Sequence, residues 1–455
     1  MTQSPAKKSF FNRNVDLMNG PIFKSLLVFM LPILVSCLFQ QLYNTVDTMI
    51  VGNVLGDTAL PPLAPAGPST SFWSDSASVS ATASPSSQRA PTGPETRTSS
   101  NRPWRVPSSS AHASAVITLA GAAGLYPLLE LLDTPAEILE DAYGYIIIID
   151  LGVIVMFAYN LCAGLLRAIG NSFMPLVFLV LSSVLNVILD LWFIAVLGMG
   201  VAGAGVATVI SQACRWRSAS CMSSVQRRPA SCPGKALPMW RAASIGSCSA
   251  EHLHGPHEQH RLGGLRRFAV RHQRLGTLVI AGHTAARKLF AFTDMPLSAM
   301  ASACSTYVSQ NYGANHPDRV RRGMRDIYLY SVVAAVAAVL LMAAGAEWMV
   351  KLVSGSSEPV VLENGARYLV WNAPFYAVLG MLLSTRYALQ SMGEKVLPLL
   401  SSVIEFLGKI VFVLLFIPRF EYNAVILCEP VIWCFMTIEL LIAYRQNSFV
   451  FPKKK

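Results

Sequence analysis

Tyr145 opens an apolar run that closes on Leu166-Arg167-Ala168-Ile169-Gly170 and resumes at Pro175; 223 residues later Tyr368 opens another that closes on Leu389-Gln390-Ser391-Met392-Gly393 and resumes at Pro398. Three fixed points, Tyr/Tyr, Gly/Gly and Pro/Pro, keep one offset without a gap, and the apolar pattern around them matches as well. A helix pair written twice inside a hydrophobic chain is the mark of a transporter built from two related halves.

The rest of the chain fits that frame. Of its 455 residues 53% are hydrophobic and only 13% charged, which excludes an ordinary soluble globule. Apolar runs of a length that crosses a hydrocarbon core recur along it. They fall near 24–46, 114–132, 145–166, 174–197, 199–213, 276–305, 327–352, 368–390, 396–417 and 424–443. The 199–213 run is too short to cross unaided, and 276–305 is the most polar. No cleavable leader is expected, because the basic start runs into a span too long for one. Basic residues collect in alternate connections: Lys7, Lys8 and Arg13, then Arg167, then Arg319, Arg321, Arg322 and Arg325, then Lys395, and finally Lys453 to Lys455. This asymmetry predicts a multi-pass protein of the cell membrane with both termini in the cytoplasm and an even number of crossings. The nine cysteines show no paired spacing and read as small apolar packing residues.

Two stretches break the pattern. Residues 61–114 are dense in Ser, Pro, Thr and Ala, and 214–274 are rich in Arg, Ser, Cys and His. The second holds eleven Lys or Arg against two acids, the first four against two, so together they account for the whole formal charge of +11. The basic balance is therefore no argument for a nucleic-acid partner. His252, His254, His257 and His260 lack the paired spacing of a zinc module, and no aromatic platform accompanies the arginines. Disordered inserts are one reading of such composition. Translation out of frame is the reading favoured here, since each stretch begins and ends inside an apparent membrane element and has the length of a span plus its loop. The domain reading is an N-terminal lobe over 1–213 with 61–114 anomalous, an anomalous region over 214–274, and a C-terminal lobe over 275–455.

The residues of the undisturbed spans resemble the multidrug and toxic compound extrusion (MATE) family of efflux transporters. The likeness rests on Pro32 to Gln40, Tyr43-Asn44, Val46-Asp47-Thr48, Val51-Gly52 and Leu55-Gly56, and on Leu166 to Asn171. It continues through Asn186-Val187-Ile188-Leu189-Asp190 and the small-residue run Gly200 to Thr208. In the second half it rests on Gly282 to Arg287, Met295-Pro296 and Ser309-Gln310-Asn311-Tyr312-Gly313-Ala314. The resemblance implies an all-α integral membrane protein of two six-helix lobes, nominally twelve transmembrane helices, about two of them degraded here. The family's second helix would fall within 61–90, and most of its sixth-to-seventh-helix region within 214–274.

A carboxylate inside a membrane helix is costly, so it is a functional candidate facing the bundle interior. Asp47 sits in the outer part of the first span and Asp190 beyond the middle of the fourth. Asn186 lies four residues before Asp190, on the same helical face. Asn160 and Thr208 would bring further oxygens from two other spans, although packing hydrogen bonds explain those two equally well. Asp47, for its part, would also serve as a cap at the outer interface. The resemblance implies that Asp47, Asn160, Asn186, Asp190 and Thr208 form a cation-linked site in the N-terminal half. Tyr43, Gln40 and Met295 are candidates for a substrate cavity. At the repeat offset Asn186 falls on Lys409 and Asp190 on Val413, so the second half is no chemical copy. Glu405 and Lys409, four apart, predict an internal ion pair. Arg287 and Arg386 are read as lying near cytoplasmic ends or lining the cavity.

The function these readings imply is antiport: amphipathic organic compounds or drugs leave by alternating access, driven by H⁺ or Na⁺, with no other cofactor. The partners are small-molecule substrates and the lipid bilayer, and the chain is expected to act as a monomer. A lipid-linked oligosaccharide flippase of the same superfamily and a decayed, inactive transporter are the alternatives. An enzyme is not expected, because no nucleophile–base set, metal motif or phosphate loop stands in the undisturbed parts.

Overall fold

The computed structural model describes residues 15–55, 126, 136–168, 170–225, 277–394 and 396–452. The 61–114 stretch, the 114–132 span apart from Tyr126, and 226–274 with its four histidines lie outside the described residues. Among those described, every regular element is helical. The helices are α1 Ile22–Leu55, α2 Ala136–Ala168, α3 Phe173–Asp190, α4 Gly200–Val225, α5 Thr277–Gly313, α6 Pro317–Ser354, α7 Pro359–Asn372, α8 Tyr376–Ser391, α9 Val396–Val411 and α10 Ile417–Gln446. Two of them run on in a wider, π-helical turn: α3 through Leu191–Val196 and α9 through Phe412–Phe416.

Among the described residues, five stretches are long and apolar enough to cross a membrane: Ile22–Tyr43, Tyr143–Ala168, Phe173–Val196, Pro317–Ser354 and Val396–Gln446. The fold is thus that of an all-α membrane protein. Large apolar side chains point outward along these helices, Leu181 at 63% and Leu340 at 66% exposure among them. That is the pattern of a bundle whose outer solvent is hydrocarbon rather than water. The 276–305 and 368–390 runs are helical but do not reach the same apolarity or unbroken length. The first carries His283, Arg287, Lys288 and Asp294 within α5, and the second is interrupted by the 3₁₀ turn Ala373–Phe375 between α7 and α8.

Packing divides the chain into two compact units, one from Met1–Val15 with Val35–His252 and one from Asp16–Leu34 with Leu253–Lys455. The first half of α1 therefore packs with the C-terminal unit, which a division at 213 and 275 does not foresee. The clasp that holds it there is visible. Arg319 donates through Nη2 to the carbonyls of Leu17 (3.2 Å) and Gly20 (3.0 Å), and Asn311 donates to Leu17 O at 3.2 Å. Leu26 and Phe29 are fully buried behind it. Just before α1, Asp16 accepts from the amides of Asn19 (3.0 Å) and Met18 (2.8 Å), which hold its carboxyl below the ordinary value.

In the N-terminal unit, α4 packs along α2 and α3. Tyr159, Ala163 and Leu166 of α2, Met174 and Phe178 of α3, and Ala219 of α4 form one buried cluster. Helix α4 does not stop at 213, where the composition changes, but continues to Val225. Of the two arginines in this extension Arg217 is exposed, whereas Arg215 is turned inward: it is only 6% exposed, lies 3.8 Å from the centre of the Tyr159 ring and donates to Gln212. Tyr159 in turn donates to the carbonyl of Pro175 at 3.2 Å, so one side chain ties α2, α3 and α4 together. In the C-terminal unit, α5 packs against α6, α7 and α8, and α9 against α10. Tyr307, Tyr368 and Tyr376 are its largest fully buried side chains.

The repeat read from the sequence is a repeat of backbone geometry. Gly170 and Gly393 both take left-handed conformations, with φ of +88° and +91°. After each, the chain closes the helix end in the same way. Gly170 N–H donates to Arg167 O and Asn171 N–H to Leu166 O at 2.8 and 2.9 Å; Gly393 N–H donates to Gln390 O and Glu394 N–H to Leu389 O, both at 3.0 Å. The left-handed residue satisfies carbonyls that would otherwise be orphaned at the helix terminus. Alanine at either position should cost about 1–2 kcal/mol of strain. Gly170→Ala should cost more, because its new Cβ would meet Val15 O at 2.7 Å, whereas open space surrounds Gly393. Thermal unfolding of the two variants in detergent would give that order.

Candidate functional site

Helix α3 builds the site by its spacing. Phe178, Ser182, Asn186 and Asp190 are buried at four-residue steps, while Leu181, Val184 and Ile188 face outward. One face of α3 thus turns from aromatic to hydroxyl to amide to carboxylate as it approaches its end. Asn186 and Asp190 are both 0% exposed. The wider turn Leu191–Val196 begins directly after Asp190, and such insertions recur where a helix must re-aim a functional side chain.

Two other helices meet this face. Thr208 of α4 joins Asn186 Nδ2 at 3.4 Å, and its hydroxyl is shared with that of Tyr43 on α1 at 3.1 Å. The amide, the hydroxyl and the phenol form one chain of hydrogen bonds across α3, α4 and α1. Asn186 Oδ1 is buried and makes no hydrogen bond among the described residues. An acceptor shut away in this manner costs roughly 1–3 kcal/mol unless a donor or a cation reaches it. Thr208 arrives there because α4 begins as a run of small residues. At Gly205 a Cβ would stand 3.3 Å from both Ile148 Cγ2 and Tyr145 Cδ2, and Ala204 and Ala207 are 0% exposed. Small residues of this kind let two membrane helices approach closely.

Of the five residues singled out from the sequence for cation coupling, Asn186, Asp190 and Thr208 line one interior face of the N-terminal unit. Asn160 is half-buried on α2 and hydrogen-bonds none of them among the described residues. Asp47 sits on α1 one turn past Tyr43, but its side chain lies outside the described residues. Gln40 is half-buried on α1, and Met295, on α5 of the other unit, is 8% exposed. The hydroxyl of Tyr43, a cavity candidate, bonds to Thr208, a role that spacing along one helix does not reveal. No group of three His, Cys, Asp or Glu side chains among the described residues is placed to hold a metal ion.

The C-terminal unit answers the same positions differently. Lys409 donates to Glu405 Oε1 at 2.6 Å, the ion pair expected from their spacing. A denser cluster has no local signal in the sequence. Arg287 of α5 lies in the first third of its helix, away from the Gly313 end, and donates through Nη1 to Glu429 Oε2 (2.6 Å) and to the Tyr368 hydroxyl (3.1 Å). His283, one turn earlier, lies edge-on to Tyr368 at 5.0 Å, and its Nδ1 is 3.3 Å from the Tyr422 hydroxyl. Arg287 and Glu429 are 142 residues apart, so only the apolarity of their surroundings hinted that each needed a partner.

Thr208→Val keeps the volume of the residue and removes the shared hydroxyl. It should destabilise the N-terminal unit by about 1–3 kcal/mol, because the Asn186 amide donor is then left buried and unsatisfied. A lowered midpoint of thermal unfolding in detergent is the expected result.

Comparison with known proteins agrees with this architecture. The MatE family profile matches residues 109–192 and 269–415, about half of the chain. A protein of Bacillus subtilis (strain 168) described as "Probable multidrug resistance protein YpnP" is 26% identical over 406 residues, 86% of this chain and 87% of its own. A solved outward-facing multidrug resistance MATE transporter of the MOP superfamily superposes with a TM-score of 0.79, at 18% identity over 97% of this chain and 99% of its own. A point mutant of the Vibrio cholerae MATE transporter VcmN gives 0.75, at 17% identity over 94% of this chain and 98% of its own. At such identities the two structures establish the fold alone. Profile, relative and helical architecture converge, and the chain belongs to the MatE family of membrane transporters, which are not enzymes.

Proposed function

We propose that the chain exports amphipathic organic compounds and drugs across the cell membrane by antiport against H⁺ or Na⁺, with alternating access as the mechanism. The observation that carries this reading is the burial of Asn186 and Asp190 on one face of α3, with Thr208 and Tyr43 bonded to the amide. Holding a carboxylate in a membrane helix costs roughly 2.5–3.5 kcal/mol, a cost that selection tolerates where the group has work to do. Binding a proton or a sodium ion there neutralises it. The state that binds the cation better is then favoured by the difference in affinity, so inward flow of the cation drives export. The relative described as a multidrug resistance protein supports drugs as the exported class. Asp47, on α1 beyond Tyr43, supplies the second carboxylate of the coupling site, and Asn160 a further oxygen. Tyr43, Gln40 and Met295 are proposed to contact the exported compound, the protein acting as a monomer with both termini in the cytoplasm.

The Arg287–Glu429 and Glu405–Lys409 pairs favour coupling seated in the N-terminal unit. A carboxylate already matched to a fixed cation gains less from a mobile one. Drug accumulation in cells expressing the chain tests the reading. Asp190→Asn and Asp47→Asn should each slow efflux by about tenfold or more, the scale of a typical coupling energy. Efflux unchanged in both variants would remove the proposed coupling site.

A further inference from the structure

The C-terminal unit holds an arginine whose hydrogen bonds use only one of its edges. Both bonds of Arg287 leave from Nη1, to Glu429 Oε2 at 2.6 Å and to Tyr368 Oη at 3.1 Å. Nε and Nη2 make no hydrogen bond among the described residues, and a third of the side chain remains accessible. Arginine and carboxylate frequently meet edge to edge through two parallel bonds. Here that second pair of donors stays open. An open guanidinium edge is costly against hydrocarbon, and the accessible third of the side chain gives a polar ligand a way to reach it.

An aromatic wall adjoins it. Phe290, one turn along α5, carries the Arg287 guanidinium 5.1 Å from its ring centre. It is stacked on Trp433 at 5.9 Å and tilted against Tyr376 at 5.6 Å. Trp433 and Tyr376 are buried, whereas Phe290 is half-exposed and presents the accessible edge of the set. The next carboxylate on this side of α5, Asp294, accepts from Ser298 Oγ at 2.8 Å. A two-donor fork beside an exposed aromatic edge suits a planar carboxylate attached to an aromatic ring.

We propose that Arg287 is a substrate-selecting residue whose Nε/Nη2 edge receives the carboxylate of an aromatic solute, with Phe290 against the ring of that solute. Glu429 competes for the same guanidinium. It keeps the charge of the empty site balanced and limits how tightly a second carboxylate binds. Nothing in the coupling chemistry of Asn186 and Asp190 requires this site. It deepens the reading of the chain as an exporter of organic compounds, but binding is measurable apart from export.

The test is binding of 2-naphthoate and of its uncharged analogue 2-naphthamide to the purified full chain in phosphatidylcholine nanodiscs. The carboxylate should bind about tenfold more tightly, the worth of a charge-assisted hydrogen-bond pair against a neutral one. Arg287→Gln should abolish that preference. Glu429→Gln, which frees Nη1 while leaving the arginine in place, should widen it several-fold, so the proposal does not rest on one variant that fails to fold. Equal binding of the two compounds by the native chain would overturn the assignment. So would a preference that survives Arg287→Gln, or one that Glu429→Gln leaves unmoved. Asp190→Asn should keep the preference. If that variant also exported drugs normally, the coupling site would fall while the Arg287 site stood.

Discussion

In an apolar bundle a charge is costly unless it is turned inward or given something to interact with, and this constraint shapes the sites on α3, α4 and α5. Water solvates a stray carboxylate at little cost, but hydrocarbon does not. Helix α3 obeys by carrying its polar residues at four-residue steps on the buried face, ending in Asn186 and Asp190 with no exposure at all. Arg215 obeys by lying over the ring of Tyr159, and Arg287 by reaching across the C-terminal unit to Glu429. Each solution draws helices together that are distant in the chain. The polar residues thereby become the points at which the packing is most specific.

The duplicated halves show how little of this is backbone. The two helix ends at Gly170 and Gly393 share a left-handed glycine and the same pair of closing hydrogen bonds, and α3 and α9 both pass into a π-helical turn. Upon that common frame the side chains diverge. Where α3 carries Asn186 and Asp190, α9 carries Lys409 and Val413, and Lys409 is matched by Glu405. One half buries Asn186 and Asp190 on one face of α3. The other pairs Lys409 with Glu405 and Arg287 with Glu429, and leaves the second edge of Arg287 beside aromatic rings. Duplication supplied the geometry, and substitution within it divided the proposed tasks of cation coupling and solute selection.

The small residues of α4 act through distance rather than chemistry. Gly205 brings α4 against Tyr145 and Ile148 of α2, and this closeness delivers Thr208 to Asn186. The sequence run Gly200 to Thr208 has the look of a helix-packing motif, and its consequence is a hydrogen-bonded site at its own last residue. The same helix then runs past the change in composition at 213, because Ala219 and Met222 still fit the cluster formed by Tyr159, Leu166 and Met174. Composition averages over a window, whereas packing is decided residue by residue.

The all-helical membrane fold, the internal repeat, the inward stripe of α3 and the Glu405–Lys409 pair were all legible in the amino-acid order. The repeat is an offset of 223 residues read directly along the chain, and the others depend on contacts three or four residues apart or on a period that one helix displays by itself. What only the tertiary structure decided involves partners far apart in the chain. It joined Tyr43 to Thr208 across 165 residues and Arg287 to Glu429 across 142, and it packed the first half of α1 with the C-terminal unit through Arg319. Helical periodicity says which face of a helix is buried, but not which other helix covers it. That choice follows from shape and charge matched across the whole unit, and no local stretch of sequence contains it.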